Sequence, residues 1–124
     1  MIMGVGIDIV HIKRMERWLV NSKLLKRFFH PDEIEYVMSL GRRAAQSLAA
    51  RFAAKEAYGK ALGTGLANIK LAEITVINKN NGKPEIKLFG AAQEIFKNSG
   101  ADKIHISLTH EREFALAMVV LEGT

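Results

Sequence analysis

No proline interrupts the stretch from Arg42 to Asn81, and an alanine-rich run begins near Arg43, so one long helix can carry the middle of this chain. Along that helix Ala45, Leu48, Phe52, Gly59 and Leu62 share a face, because successive residues advance by roughly 100°. That face is expected to pack inward. On the same count Glu56 and Lys60 fall about 80° and about 120° from Leu48, at one edge of the apolar stripe, with Arg51 and Lys55 at the other edge. Glu56 and Lys60 are one turn apart with the acid first, a spacing at which an exposed ion pair adds roughly 0.2–0.5 kcal/mol and needs no functional site. The ending says more. Gly63-Thr64-Gly65 can stop the helix through a left-handed cap and leave a bare backbone turn beside these charges.

A chain of 124 residues is expected to form one domain, residues 1–124, with a modest core. Its balance of hydrophobic and charged residues is that of a globular protein, not a disordered one. Cysteine is absent, which removes disulfides and thiolate zinc sites from consideration. Met1-Ile2-Met3-Gly4 lacks the charged start and apolar core of a signal peptide, and no apolar run reaches membrane-spanning length, so a soluble, cytoplasmic protein is expected. The formal charge is +5. That excess suggests an acidic partner, whether nucleic acid, a phosphate-rich cofactor, an anionic membrane or an acidic protein.

Met3 to Val10 reads as a buried strand opened by two glycines, with Ile7 and Ile9 on one face and Asp8 on the other. An aspartate inside an apolar strand costs several kcal/mol unless it is paired, hydrogen-bonded or bound to a metal. The plain alternative is that Asp8 caps the following helix. Ile12 to Phe29 reads as one or two short helices, with Ile12, Met15, Leu19, Leu24, Leu25 and Phe28 on the apolar side. Lys13, Arg14, Arg17, Lys23, Lys26 and Arg27 concentrate positive charge there against the single acid Glu16. A solvated face is the ordinary explanation; the functional one is a docking surface for an acidic helix or a phosphate backbone, with Met15 and Trp18 as apolar anchors.

Pro31-Asp32-Glu33 opens another helix and Gly41 closes it. Leu71 to Lys79 and the stretch through Phe89 are expected to pair as a hairpin about Asn80-Asn81-Gly82-Lys83-Pro84. Gly90 to Ser99 is a short amphipathic helix with Ala92, Ile95 and Phe96 inward, ended by Gly100. Ile104 to Thr109 alternates, His110-Glu111-Arg112 turns, and the nearly all-apolar Phe114 to Leu121 belongs in the middle of a sheet. The histidines show no metal-ligand spacing, so no zinc site is expected.

A buried-strand aspartate, a helix-edge glutamate, basic neighbours and a glycine turn together suggest magnesium-dependent phosphoryl-type transfer. Two carboxylates completed by substrate phosphates are how proteins usually hold that ion. No glycine loop opens a helix, so a Walker-type site is excluded.

Four stretches then resemble one family in order. Gly6-Ile7-Asp8-Ile9, the helix Arg51-Phe52-Ala53-Ala54-Lys55-Glu56-Ala57-Tyr58-Gly59-Lys60-Ala61 with Gly63-Thr64-Gly65 behind it, Asn81-Gly82-Lys83-Pro84, and Ile106-Ser107-Leu108-Thr109-His110 are similar to motifs of the holo-acyl-carrier-protein synthases, the small class of 4′-phosphopantetheinyl transferases. The resemblance implies an α+β fold in which a mainly antiparallel sheet packs against one long central helix and shorter helices. It implies transfer of phosphopantetheine from coenzyme A to a serine of apo-acyl carrier protein in fatty acid biosynthesis, releasing 3′,5′-ADP. Asp8 and Glu56 would hold Mg²⁺ against the coenzyme A pyrophosphate and Lys60 would contact the phosphate under attack; the base would be Glu56 or a metal-associated water. Arg51, Gly63, Thr64, Gly65, Lys83, Pro84, Thr109 and His110 would line the coenzyme A site. Arg14, Arg17 and Arg27 would meet carboxylates of the acidic carrier protein, with Met15 or Trp18 in apolar contact. The family also implies a homotrimer with sites between protomers. The rival reading, a nucleic-acid-binding module, wants exposed aromatics among the basic residues, and only Trp18 offers one.

Overall fold

A computed structural model describes residues 1–124. In chain order the elements are β1 (Ile2–His11), α1 (Ile12–Leu19), α2 (Ser22–Phe28), α3 (Pro31–Met38), α4 (Ala44–Leu62), β2 (Ile74–Asn78), β3 (Pro84–Leu88), α5 (Gly90–Lys97), β4 (Lys103–His110) and β5 (Phe114–Glu122). Short 3-10 turns at Gly41–Arg43 and Leu71–Glu73 lead into α4 and β2, so both start a little later than the sequence pattern suggests.

Strands β1, β5 and β4 form one antiparallel sheet in that order, and β5 holds the middle position that its apolar composition calls for. Asp8 and Leu108 both pair with Ala117, and Gly6 and Ile106 both pair with Val119. Strands β2 and β3 make the expected hairpin as a separate two-stranded sheet, with Val76 opposite Ile86.

Helix α4 lies across the inner face of the larger sheet, and small side chains set how closely. Ala53, Ala54 and Ala57 are fully buried on the helix, as are Ala115 and Ala117 on the sheet. Gly4 and Gly6 take the approach to its limit: a Cβ on either would run into a backbone carbonyl oxygen, that of Ala61 or Ala57 respectively. The glycines that open β1 therefore serve the helix–strand contact. Gly6→Ala is expected to lower stability by about 1–3 kcal/mol or more, because the obstacle is backbone and cannot swing aside. Thermal unfolding followed by circular dichroism checks this, and an unchanged midpoint would show that the helix can retreat freely.

Two expectations change at this contact. Helix α4 is not an amphipathic helix with one apolar stripe, since Arg51 and Lys55 are buried along with Leu48, Phe52 and Tyr58. It runs through the middle of the molecule, with sheet, hairpin and short helices around it. Strand β1 is buried on one face only. Gly6 and Val10 face the helix, whereas Val5, Ile7 and Ile9 are 57%, 54% and 58% exposed on the outer face, joined by Phe114 and Met118 of β5.

The short helices cover the far side of α4. Asn21 caps α2 by accepting from Leu24 N, and His30 and Glu33 form a capping box at the start of α3. Met15 is completely buried and Trp18 packs against Phe28 and Phe52 with ring centroids 5.3 and 5.1 Å away. Met15 is thus no surface anchor, because its position on α1 faces the core, and most of the Trp18 ring is committed to the same cluster. In α5, Ala92 is buried and Ile95 and Phe96 are half-buried, and Gly100 follows with φ of 90°. No helix is long and apolar enough to cross a membrane.

Candidate active site where strand β1 meets helix α4

Because β1 presents Gly6 and Val10 to α4, the residue between them, Asp8, is directed to the same side. It does not cap the next helix: the residue before α1 is His11, and no side chain bonds the exposed helix amides there. Lys60, in the last turn of α4, reaches it instead. Its Nζ donates to Asp8 Oδ1 at 3.1 Å and to the Ile7 carbonyl at 3.0 Å. Lys60 therefore pairs across the helix–strand contact and not with Glu56 one turn back, as spacing on the helix alone suggests. The Asp8 side chain is 19% exposed and that of Lys60 56%.

Glu56 lies one turn before Lys60 and is half-buried. Its carboxyl pKa is raised, first by burial and then by the negative charge of Asp8, while Lys60 and Arg14 pull it back down. A carboxyl whose ionisation is disfavoured by a neighbouring acid, with Lys60 and Arg14 drawing it back, forms a site poised for a further positive charge. Arg14 joins from α1, its guanidinium over the rings of Phe52 at 5.3 Å and Trp18 at 5.8 Å. Sequence reasoning placed Arg14 with the docking residues; its reach to the acidic pair comes from the α1–α4 packing. No group of three or more acidic, histidine or cysteine side chains is placed to hold a metal anywhere in the chain. A divalent ion at Asp8 and Glu56 must draw its other ligands from water and substrate oxygen, which suits magnesium.

Beyond Lys60 the helix ends as its glycines require. Gly63 takes φ of 83° and Gly65 φ of 68°, with Gly63 N donating to Lys60 O at 3.1 Å and Gly65 N to Gly59 O at 3.2 Å. The side chain of Leu66 folds back over Gly59, where a Cβ would collide with it. Gly63 and Thr64 are left exposed next to Lys60.

Arg51 sits near the middle of the same helix, 4% exposed. Its Nη1 donates to Ser47 Oγ at 2.7 Å, its Nη2 to Asn78 Oδ1 at 2.5 Å, and its guanidinium lies 4.5 Å from the centre of the Tyr36 ring. Burial lowers its pKa, and its Nε is buried without a partner. Neither Ser47 nor Asn78 is marked in the sequence, and Asn78 is a partner only because the hairpin folds against α4. Lys83 and Pro84 line a cleft of about 160 Å³ with Ile104, His105 and Ile106. Thr109 and His110 are exposed at the end of β4. Thr109 pairs with Leu116 and so projects from the sheet face opposite Asp8. One chain therefore brings Asp8, Glu56, Lys60, Arg14 and the glycine turn together, and leaves Thr109 on the other side of the sheet.

The family model of the 4′-phosphopantetheinyl transferase superfamily matches residues 4–119, from the first glycine of β1 through most of β5. The chain belongs to this superfamily. Within the superfamily it is 56% identical over 123 residues to the holo-[acyl-carrier-protein] synthase of Treponema denticola, covering 99% of this chain and 100% of that protein. It therefore belongs among the holo-[acyl-carrier-protein] synthases, which are transferases. The solved holo-[acyl-carrier-protein] synthase of Neisseria meningitidis superimposes with a TM-score of 0.89 at 34% identity, covering 98% of this chain and 99% of that one. That of Bacillus anthracis, in complex with CoA (3′,5′-ADP), superimposes with a TM-score of 0.82 at 37% identity, covering 100% and 99%. The α+β expectation, an antiparallel sheet against one long helix with shorter helices around it, is thereby borne out.

Proposed function

We propose that this transferase moves the 4′-phosphopantetheine arm of coenzyme A onto a serine of an acidic apo-acyl carrier protein, in the cytoplasm and in service of fatty acid biosynthesis. The observation that carries this reading is the convergence of Asp8, Glu56 and Lys60 at the β1–α4 contact in a chain matched end to end by synthases. The serine oxygen forms a bond to the phosphorus that carries the arm, the bond from that phosphorus to the bridging oxygen breaks, and 3′,5′-ADP leaves. The serine proton passes to Glu56 or to water. Mg²⁺ held by Asp8 and Glu56 would neutralise the diphosphate and assist its departure. Lys60 would hold the phosphate under attack through its ammonium group, which stands at the site on the Ile7 carbonyl.

Arg51, Gly63, Thr64, Gly65, Lys83, Pro84, Thr109 and His110 are the proposed coenzyme A contacts. Because Thr109 projects from the far face of the sheet, we assign it to the site of a neighbouring protomer in a trimer. The exposed outer face of Val5, Ile7, Ile9, Phe114 and Met118 supports that assembly, since a contiguous apolar patch on a sheet face seeks a partner. The variant Ile7→Lys/Met118→Lys is expected to sediment as single chains where the unaltered protein sediments as trimers. Single chains in both samples would remove the trimer.

Arg14, Arg17 and Arg27 on α1 and α2 form the proposed docking edge for the acidic carrier, with Trp18 holding Arg14 in place from beneath. The direct test is mass spectrometry. Incubation with Mg²⁺, coenzyme A and apo-acyl carrier protein should add one phosphopantetheine to the carrier, and chelation of the metal should prevent it. An unmodified carrier with Mg²⁺ present would overturn the proposal.

A further inference from the structure

We infer that Lys60 occupies the cation position of the site before the metal arrives, so that divalent cation and Lys60 compete for Asp8 and coenzyme A resolves the competition by drawing Lys60 onto its phosphate. The inference rests on the proposed role of Asp8 and Glu56 as metal ligands and concerns how that site is loaded.

The geometry has two parts. Lys60 Nζ lies 3.1 Å from Asp8 Oδ1, so it already holds one of the two oxygens through which Asp8 could bind a metal. An ammonium and a divalent ion cannot share that direction without strong repulsion. Next, Lys60 is also tied to the Ile7 carbonyl at 3.0 Å, which keeps its head at the site when the bond to Asp8 breaks. Its third N–H and its half-exposed side chain leave it free to turn towards an incoming anion.

In the free protein Asp8 is thus partly neutralised and has reduced demand for a second cation. When the diphosphate of coenzyme A binds, it offers Lys60 a better-matched anion, Asp8 is released, and the metal enters with the phosphates as its remaining ligands. Metal and coenzyme A then bind with positive coupling, and by linkage each tightens the other equally. Lys60 becomes the part that converts arrival of the substrate into a vacancy for the ion.

The test measures Mn²⁺ binding to the full chain by electron paramagnetic resonance without carrier protein, so that no turnover occurs. It is carried out with and without coenzyme A, with a protein-free sample to correct for Mn²⁺ held by coenzyme A itself. Lys60→Met should bind Mn²⁺ alone about tenfold more tightly than the unaltered protein, and coenzyme A should tighten Mn²⁺ binding less in the variant. Arg14→Met also removes a positive charge facing Glu56 but has no bond to Asp8, and it should change Mn²⁺ affinity much less. Lys60→Gln, which keeps a hydrogen-bonding head without the charge, should behave as Lys60→Met does. Equal gains in Lys60→Met and Arg14→Met would reduce the effect to a general field and overturn the inference. So would an unchanged affinity in both Lys60 variants while Asp8→Asn still abolishes Mn²⁺ binding; there the metal site stands and the exchange does not. If Asp8→Asn binds Mn²⁺ as the unaltered protein does, the metal site itself is lost, and the inference with it.

Discussion

Glu56→Gln is expected to stop phosphopantetheine transfer, with kcat/KM down more than about 100-fold, since Glu56 is a proposed direct ligand and its loss should exceed that typical of residues that only support one. The fold should not suffer. Burial and Asp8 raise the Glu56 pKa, so ionised Glu56 is held at some cost in the metal-free protein, and the neutral amide removes that cost. The sign follows: a carboxyl with a raised folded-state pKa destabilises the chain above that pKa. Glu56→Gln should therefore match or exceed the unaltered protein in melting temperature near pH 7, without metal. The difference should vanish as pH falls below the ordinary carboxylate value of 4.5, where both states are protonated. The mass-spectrometric assay and paired melting curves at neutral and acid pH check both halves. Full activity in the variant would remove the proposed metal site, and a large fall in melting temperature would show Glu56 to be structural.

Lys55→Met is expected to be the most damaging single change to stability, by about 3–5 kcal/mol, because it strands a buried carboxylate. Lys55 Nζ donates to Glu33 Oε1 at 2.7 Å, to the Leu71 carbonyl at 2.8 Å and to the Ile74 carbonyl at 2.5 Å, and neither charged side chain has any exposure. Glu33 in turn accepts from His30 N and Val76 N, each at 3.0 Å. The pair ties α3, α4 and the start of β2 together. Burial pulls the Lys55 pKa down to about 8 against the attraction of Glu33, which still leaves the ammonium charged near pH 7. Adding Glu33→Gln to Lys55→Met should recover part of the loss, since the amide oxygen keeps an acceptor for one of the two backbone donors and the unpaired charge is gone. Denaturant unfolding of the two variants checks this. A double variant less stable than Lys55→Met would show that the stranded charge is not the cause.

This lysine also marks a limit of reading along one helix. By angle it belongs with Arg51 at the edge of an apolar stripe, beside a Glu56–Lys60 pair. Angles on an isolated helix count neighbours from the same helix only. Lys55 is buried because Glu33, 22 residues earlier, meets it inside the core, and Lys60 turns away from Glu56 because Asp8, 52 residues earlier, lies across the β1 contact. The two glycines of β1 were visible as glycines, yet their purpose appears only once the carbonyls of Ala57 and Ala61 stand over them.

The sequence by itself determined the local elements, the central position of β5 and the helix stop at Gly63, because capping and alternation act within a few positions of one another, and it marked Asp8, Glu56 and Lys60 as candidates through their motifs. Tertiary structure alone decided who pairs with whom: Lys60 with Asp8, Lys55 with Glu33, Arg51 with Asn78, and Thr109 on the face away from the acids. Each joins segments far apart in the chain that no local pattern brings together, and for Lys60 and Asp8 the approach is set by backbone meeting backbone at Gly4 and Gly6, some fifty residues from the carbonyls of Ala57 and Ala61.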